Sequence, residues 1–66
     1  KVPIIFEFSP SLMTIKSPEI LYKSIKHYKY FTDLKKNKVL SMNEKKFLKI
    51  YSEYKKSGSH TDLMVF

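Results

Sequence analysis

The sequence predicts a mainly α, small α+β domain. It reads as a two-helix antiparallel hairpin, preceded by a short helical turn and flanked by short N- and C-terminal strands that pair with each other or with a second chain. Three observations lead there. Apolar residues recur at helical spacing in two blocks between Ser17 and Gly58, each block opens on a capping sequence, and apolar runs rich in β-branched and aromatic residues sit at both ends of the chain.

Val2 to Phe8 places Ile4, Phe6 and Phe8 on one side of a period-two pattern and Ile5 and Glu7 on the other, which is strand spacing. Pro3 donates no ladder hydrogen bond, so this strand belongs at an edge or begins there. Ser9-Pro10 then starts a short helical turn over Ser11 to Ile15, because serine caps a helix and proline suits its first position. Ser17-Pro18-Glu19 repeats that start, with a glutamate favourably placed at the positive end of the helix dipole.

From Pro18 to about Lys36, Ile20, Leu21, Ser24, Ile25, Tyr28, Phe31 and Thr32 follow the spacing of a core-facing helical stripe. Asn37 suits the left-handed residue that closes a helix, and Val39 and Leu40 fall in the link. Ser41-Met42-Asn43-Glu44 has the capping-box pattern for a second helix running to about Lys56, with Phe47, Ile50, Tyr51 and Tyr54 as its stripe. Gly58 supplies the stop, since glycine tolerates positive φ. The chain finishes on the apolar run Leu63-Met64-Val65-Phe66, which needs cover.

Sixty-six residues make one small basic domain, and the start on Lys1 suggests a fragment of a longer protein. A chain of this size buries only about 60% of the surface its unfolded form exposes, and with no cysteine it has no disulfide to compensate. At 42% hydrophobic it nevertheless has enough apolar surface to fold. No apolar run approaches the ~18 residues of a spanning helix.

The formal charge is +7, with thirteen basic residues, all lysine, against six acids. Such a surplus attracts phosphate backbones, anionic lipids or acidic protein faces, and it also arises from solvated helix faces that bind nothing. Without arginine the bidentate fork that reads guanine edges is missing. The lysines placed for phosphate contact are Lys23, Lys26, Lys45, Lys49 and Lys56.

Chemistry is sparse. His27 and His60 are far apart in sequence and have no nucleophile or carboxylate at a telling spacing, and one glycine rules out a glycine-rich phosphate loop. The expectation is a non-enzymatic module without cofactor, metal or small-molecule substrate. Its function is read as protein interaction or self-association, with a protein partner or homo-oligomer engaged through Ile4, Phe6, Phe8, Leu63, Val65 and Phe66 and a tyrosine-rich hairpin. Nucleic-acid binding through lysine-rich helix faces is the alternative. A membrane surface fits less well, and the compartment stays open with a lean toward the cell interior.

Overall fold

A computed structural model describes residues 2–12 and 17–66. The elements run β1 (Ile4–Phe8), α1 (Pro18–Ile25), β2 (Tyr30–Asp33), β3 (Lys38–Ser41), α2 (Glu44–Ser57) and β4 (Thr61–Val65). The four strands form one antiparallel sheet in the order β1-β4-β2-β3. Helix α1 joins β1 to β2 across β4, and α2 joins β3 to β4 across β2, so two split β-α-β units interlock.

The mainly α helical hairpin is therefore overturned by a four-stranded sheet. The first helix stops at Ile25 rather than near Lys36. Beyond it the run His27-Tyr28-Lys29-Tyr30-Phe31-Thr32 consists mostly of aromatic and β-branched residues, which favour a pleated surface and form helices poorly. Tyr30 to Asp33 enter the sheet, and Val39 and Leu40, expected in a link, sit in β3.

Asn37 does adopt a left-handed φ of 54°, but it closes a β-hairpin and not a helix. Its N–H and that of Lys36 bond the Asp33 carbonyl at 2.7 and 3.1 Å, while the Asp33 side chain accepts from the Lys35 N–H at 3.0 Å. Aspartate at such a position binds the backbone two residues on, and that favours the turn. Ser41 likewise lies in β3, and the cap of α2 is Asn43, whose side chain accepts from the Lys46 N–H at 3.1 Å.

Other expectations are met. Ser17 caps α1 with Pro18 in its first turn, and Gly58 ends α2 at φ 73° with its N–H on the Tyr54 carbonyl. The terminal strands pair with each other in register from Ile4 opposite Val65 to Phe8 opposite Thr61. The helical turn expected from Ser11 to Ile15 falls mostly outside the described residues; before it, Leu12 N–H closes a turn onto the Ser9 carbonyl at 2.9 Å.

Both helices cover the same face of the sheet. Phe8, Phe31, Phe47, Leu63 and Val65 are fully buried there, joined by Ile25, Tyr28, Ile50, Tyr51 and Tyr54. The Phe8 ring stands 5.8 to 5.9 Å from the rings of Phe47, Tyr51 and Tyr54, tilted or edge-on to each. Such pairs add about 0.5–1.5 kcal/mol beyond area burial. Leu63→Ala should cost about 2–5 kcal/mol, because it opens a cavity in a strand held on both sides. Ile20→Ala, at an exposed position of α1, should stay within about 0.5 kcal/mol. Urea unfolding of the two variants checks the contrast.

Candidate functional site

Side chains along a strand alternate between faces, so the strand register sorts every sheet residue. Ile4, Val65, Phe31 and Leu40 make one row under the helices, followed by Phe6, Leu63, Asp33 and Lys38. The opposite face carries a middle row of Ile5, Met64, Thr32 and Val39. Phe66, Tyr30 and Ser41 form the row at one end, with Tyr30 and Phe66 exchanging both backbone hydrogen bonds. Glu7, Asp62 and Leu34 form the row at the other end.

No helix among the described residues covers this second face. Ile5 is 60% exposed and Val39 56%, with Tyr30 and Leu34 also open, while the Tyr30 and Phe66 rings lie 5.5 Å apart at 35°. Thr32 is buried among them, its hydroxyl satisfied by the Lys38 carbonyl at 2.9 Å. Exposed apolar side chains gathered on one face of a sheet make it a candidate contact surface.

The charge on this face departs from that of the whole chain. Among the described strand residues its positions hold no lysine, and Glu7 stands directly opposite Asp62. Like charges across a strand pair cost stability, so this acidic pair is something the fold alone does not require. At the other end of the face, Lys29 and His27 share a groove with Phe66. The open face is thus apolar across its middle and acidic at one end, with Lys29 and His27 beside Phe66 at the other.

The residues assigned to an interface from the sequence are mostly elsewhere. Phe8, Leu63 and Val65 are fully buried in the chain's own core, so they are corrected from interface to core, and Phe6 packs partly buried against them. Ile4 is half-exposed at the β1 edge on the helix side, and Phe66 alone of the six lies on the open face. Ile5, Val39, Met64 and Tyr30 were missed. Ile5 was already separated from Ile4 and Phe6 by the period-two pattern, but Val39 and Tyr30 had been read outside any strand.

All five candidate phosphate lysines lie on the helix layer. Lys23 is in the last turn of α1 and Lys26 is its C-cap. Lys45, Lys49 and Lys56 share the outer side of α2 over about 16 Å of its length. Lys49 lines a groove together with Lys36, Lys38 and Lys46, none of which was singled out from the sequence.

One buried polar cluster also demands a reading. Asp33, 2% exposed at the end of β2, accepts from the Tyr54 hydroxyl of α2 and, at 2.6 Å, from the Thr61 hydroxyl of β4. Burial alone would raise its pKa, but the Thr61 and Tyr54 hydroxyls and the N–H groups of Lys35 and Lys36 outweigh it and hold the carboxyl below its ordinary 3.8. Burial and the Asp33 carboxylate together push the Tyr54 phenol above 10.0. The cluster fastens three elements rather than presenting a reactive group. His27 and His60 lie at opposite ends of β4, and among the described residues no three His, Cys, Asp or Glu gather as a metal site. No described helix is long and apolar enough to cross a membrane.

No family model, curated protein sequence or solved structure matches the chain.

Removing the Asp33 charge should be costly. Asp33→Asn should lose about 1–3 kcal/mol at neutral pH, since it weakens hydrogen bonds to a charged acceptor inside the fold. A carboxyl whose folded pKa is depressed stabilises above its unfolded value and loses that contribution as pH falls through the folded one. Wild-type stability should therefore start to fall as pH passes below about 3.8, and Asp33→Asn should flatten part of that acid limb. Urea midpoints measured from pH 7 to pH 2 check both expectations.

Proposed function

We propose that this domain is a self-association module, in which the open face of the sheet packs on the same face of a second copy. The observation that carries the reading is the uncovered row of Ile5, Met64 and Val39, flanked by the Tyr30–Phe66 ring pair. A domain this small gains little from its own core, and a second sheet stacked about 10 Å away would bury a further layer.

Charge complementarity selects a second copy and an orientation. In a two-fold dimer the same patch meets itself. With the axis running across the strands, each row of one copy faces the row at the opposite end of the other. The Glu7–Asp62 end then meets the end bearing Lys29 and Phe66, while the apolar middle row lies over itself. The same rotation taken along the strands would stack acidic end on acidic end.

Such a dimer is a sheet sandwich with a lysine-bearing helix layer on each outer side. The helix layers stay apart, so the chain's net positive charge does not oppose contact at the interface.

Sedimentation velocity across protein concentration should show a monomer–dimer equilibrium. Val39→Lys should shift it toward monomer by more than about tenfold, because it buries an unpaired charge. Asp62→Lys should weaken association as well, and adding Lys29→Glu should recover part of the loss. A monomer at every concentration, or a dimer indifferent to Val39→Lys, overturns the reading.

A further inference from the structure

We infer that the free edge of β3 is a second docking site, which takes an extended acidic peptide as a fifth strand. The two edges of the sheet differ. On β1 the chain enters with Pro3, which has no N–H, and Glu7 places a carboxylate beside the edge. Both features discourage strand addition there.

On β3 the backbone is open, and the hydrogen bonds of β2 show where. Tyr30 bonds Phe66 in both directions at 2.8 and 3.0 Å, and the Leu34 N–H reaches the Asp62 carbonyl at 3.0 Å, so the even-numbered residues of β2 turn to β4. The odd-numbered ones turn to β3, and the Lys29 carbonyl accordingly accepts from the Met42 N–H at 2.8 Å. Within β3 the even-numbered residues complete that ladder, which leaves the N–H and C=O of Val39 and Ser41 pointing outward.

Beside this edge, on the helix side, runs a groove of about 250 Å³ between β3 and α2. Leu40 and Ile50 line it together with Lys36, Lys38, Lys46 and Lys49. Glu53 also lines it, and its carboxylate already has the Lys36 ammonium at 3.7 Å. The Asp33 charge is taken up by Tyr54 and Thr61. An added strand would turn every second side chain into this groove, where carboxylates meet lysines.

The backbone decides between an acidic peptide and a nucleic acid. Val39 and Ser41 offer donors and acceptors in alternation, which another peptide backbone matches. A phosphodiester backbone carries acceptors alone and would leave the two carbonyls unmet. Lysines along an edge also repel a second basic edge, so the same residues keep copies of this chain from pairing there. The β3 edge is separate from the open face, so this site stands whether or not the domain dimerises.

The test uses a fluorescent peptide alternating glutamate and threonine, about eight residues long as many strands are. Anisotropy at low salt should show binding by this peptide, and weaker binding by a lysine–threonine peptide and by oligothymidylate of matching length. Lys46→Glu with Lys49→Glu should weaken the acidic peptide more than about tenfold, a loss of roughly 1.4 kcal/mol. Methylating alternate backbone nitrogens of the peptide should weaken it comparably with the protein untouched, and Ser41→Pro should do the same from the protein side. A methylated peptide that binds as well as its parent overturns strand addition and leaves charge attraction alone. Tighter binding of oligothymidylate, or no binding of the acidic peptide, overturns the proposal outright.

Discussion

The last strand of the chain is held on both of its edges, to β1 on one side and β2 on the other, and nothing else in the sheet joins those two. Each helix crossover spans a gap that β4 or β2 must fill. The first split unit is incomplete until residues 61–65 arrive, some fifty residues after β1 left the sheet. Contacts this distant in sequence carry a large loop-closure cost, and burial of Leu63 and Val65 between the helices and the sheet offsets it. Asp33 adds direction to that burial: its carboxylate binds the first residue of β4 and a tyrosine of α2, so the strand, its neighbour and the helix above are fixed relative to one another.

With both helices on one side, the same placement leaves the other side of the sheet uncovered by any helix among the described residues. The two sides then differ in chemistry. The helix layer carries many of the lysines, on surfaces that point to water, whereas the open face is apolar with a carboxylate pair at one end. The net charge of +7 therefore says little about the chemistry of the open sheet face. The sheet edges repeat this asymmetry, since Pro3 and Glu7 guard β1 while β3 borders a groove with four lysines. The surfaces proposed for a second copy and for an acidic strand lie on different parts of this one topology.

Much of the local structure was legible in the sequence, and less of the topology. Ser17-Pro18-Glu19 and Gly58 mark helix ends by mechanisms that act within a few residues, and both are where the chain says. The terminal runs read as strands because their composition and spacing are local too. The stretch from His27 to Leu40 misled for a physical reason: Phe31 and Thr32 satisfy a helical stripe as well as they satisfy a buried strand, and tertiary pairing with β4 decides between them. Once that hairpin is misplaced, the open face cannot be assembled, because Val39 and Tyr30 join it only through the register. Three of the six residues expected at an interface are buried in the chain's own core instead. Phe8, Leu63 and Val65 are apolar residues on the helix side of the terminal strands, and a small chain uses such residues for its own core.

The claim that most needs a direct measurement is that the bare sheet face is buried against another copy. An isotope-filtered nuclear Overhauser experiment on a mixture of labelled and unlabelled protein observes contacts between copies alone. The account predicts cross-peaks linking the side chains of Ile5, Val39 and Met64 in one copy to the same middle row in the other, with Glu7 or Asp62 protons near Phe66. Cross-peaks confined to the helix layer, or none at concentrations where the protein is dimeric, would contradict it.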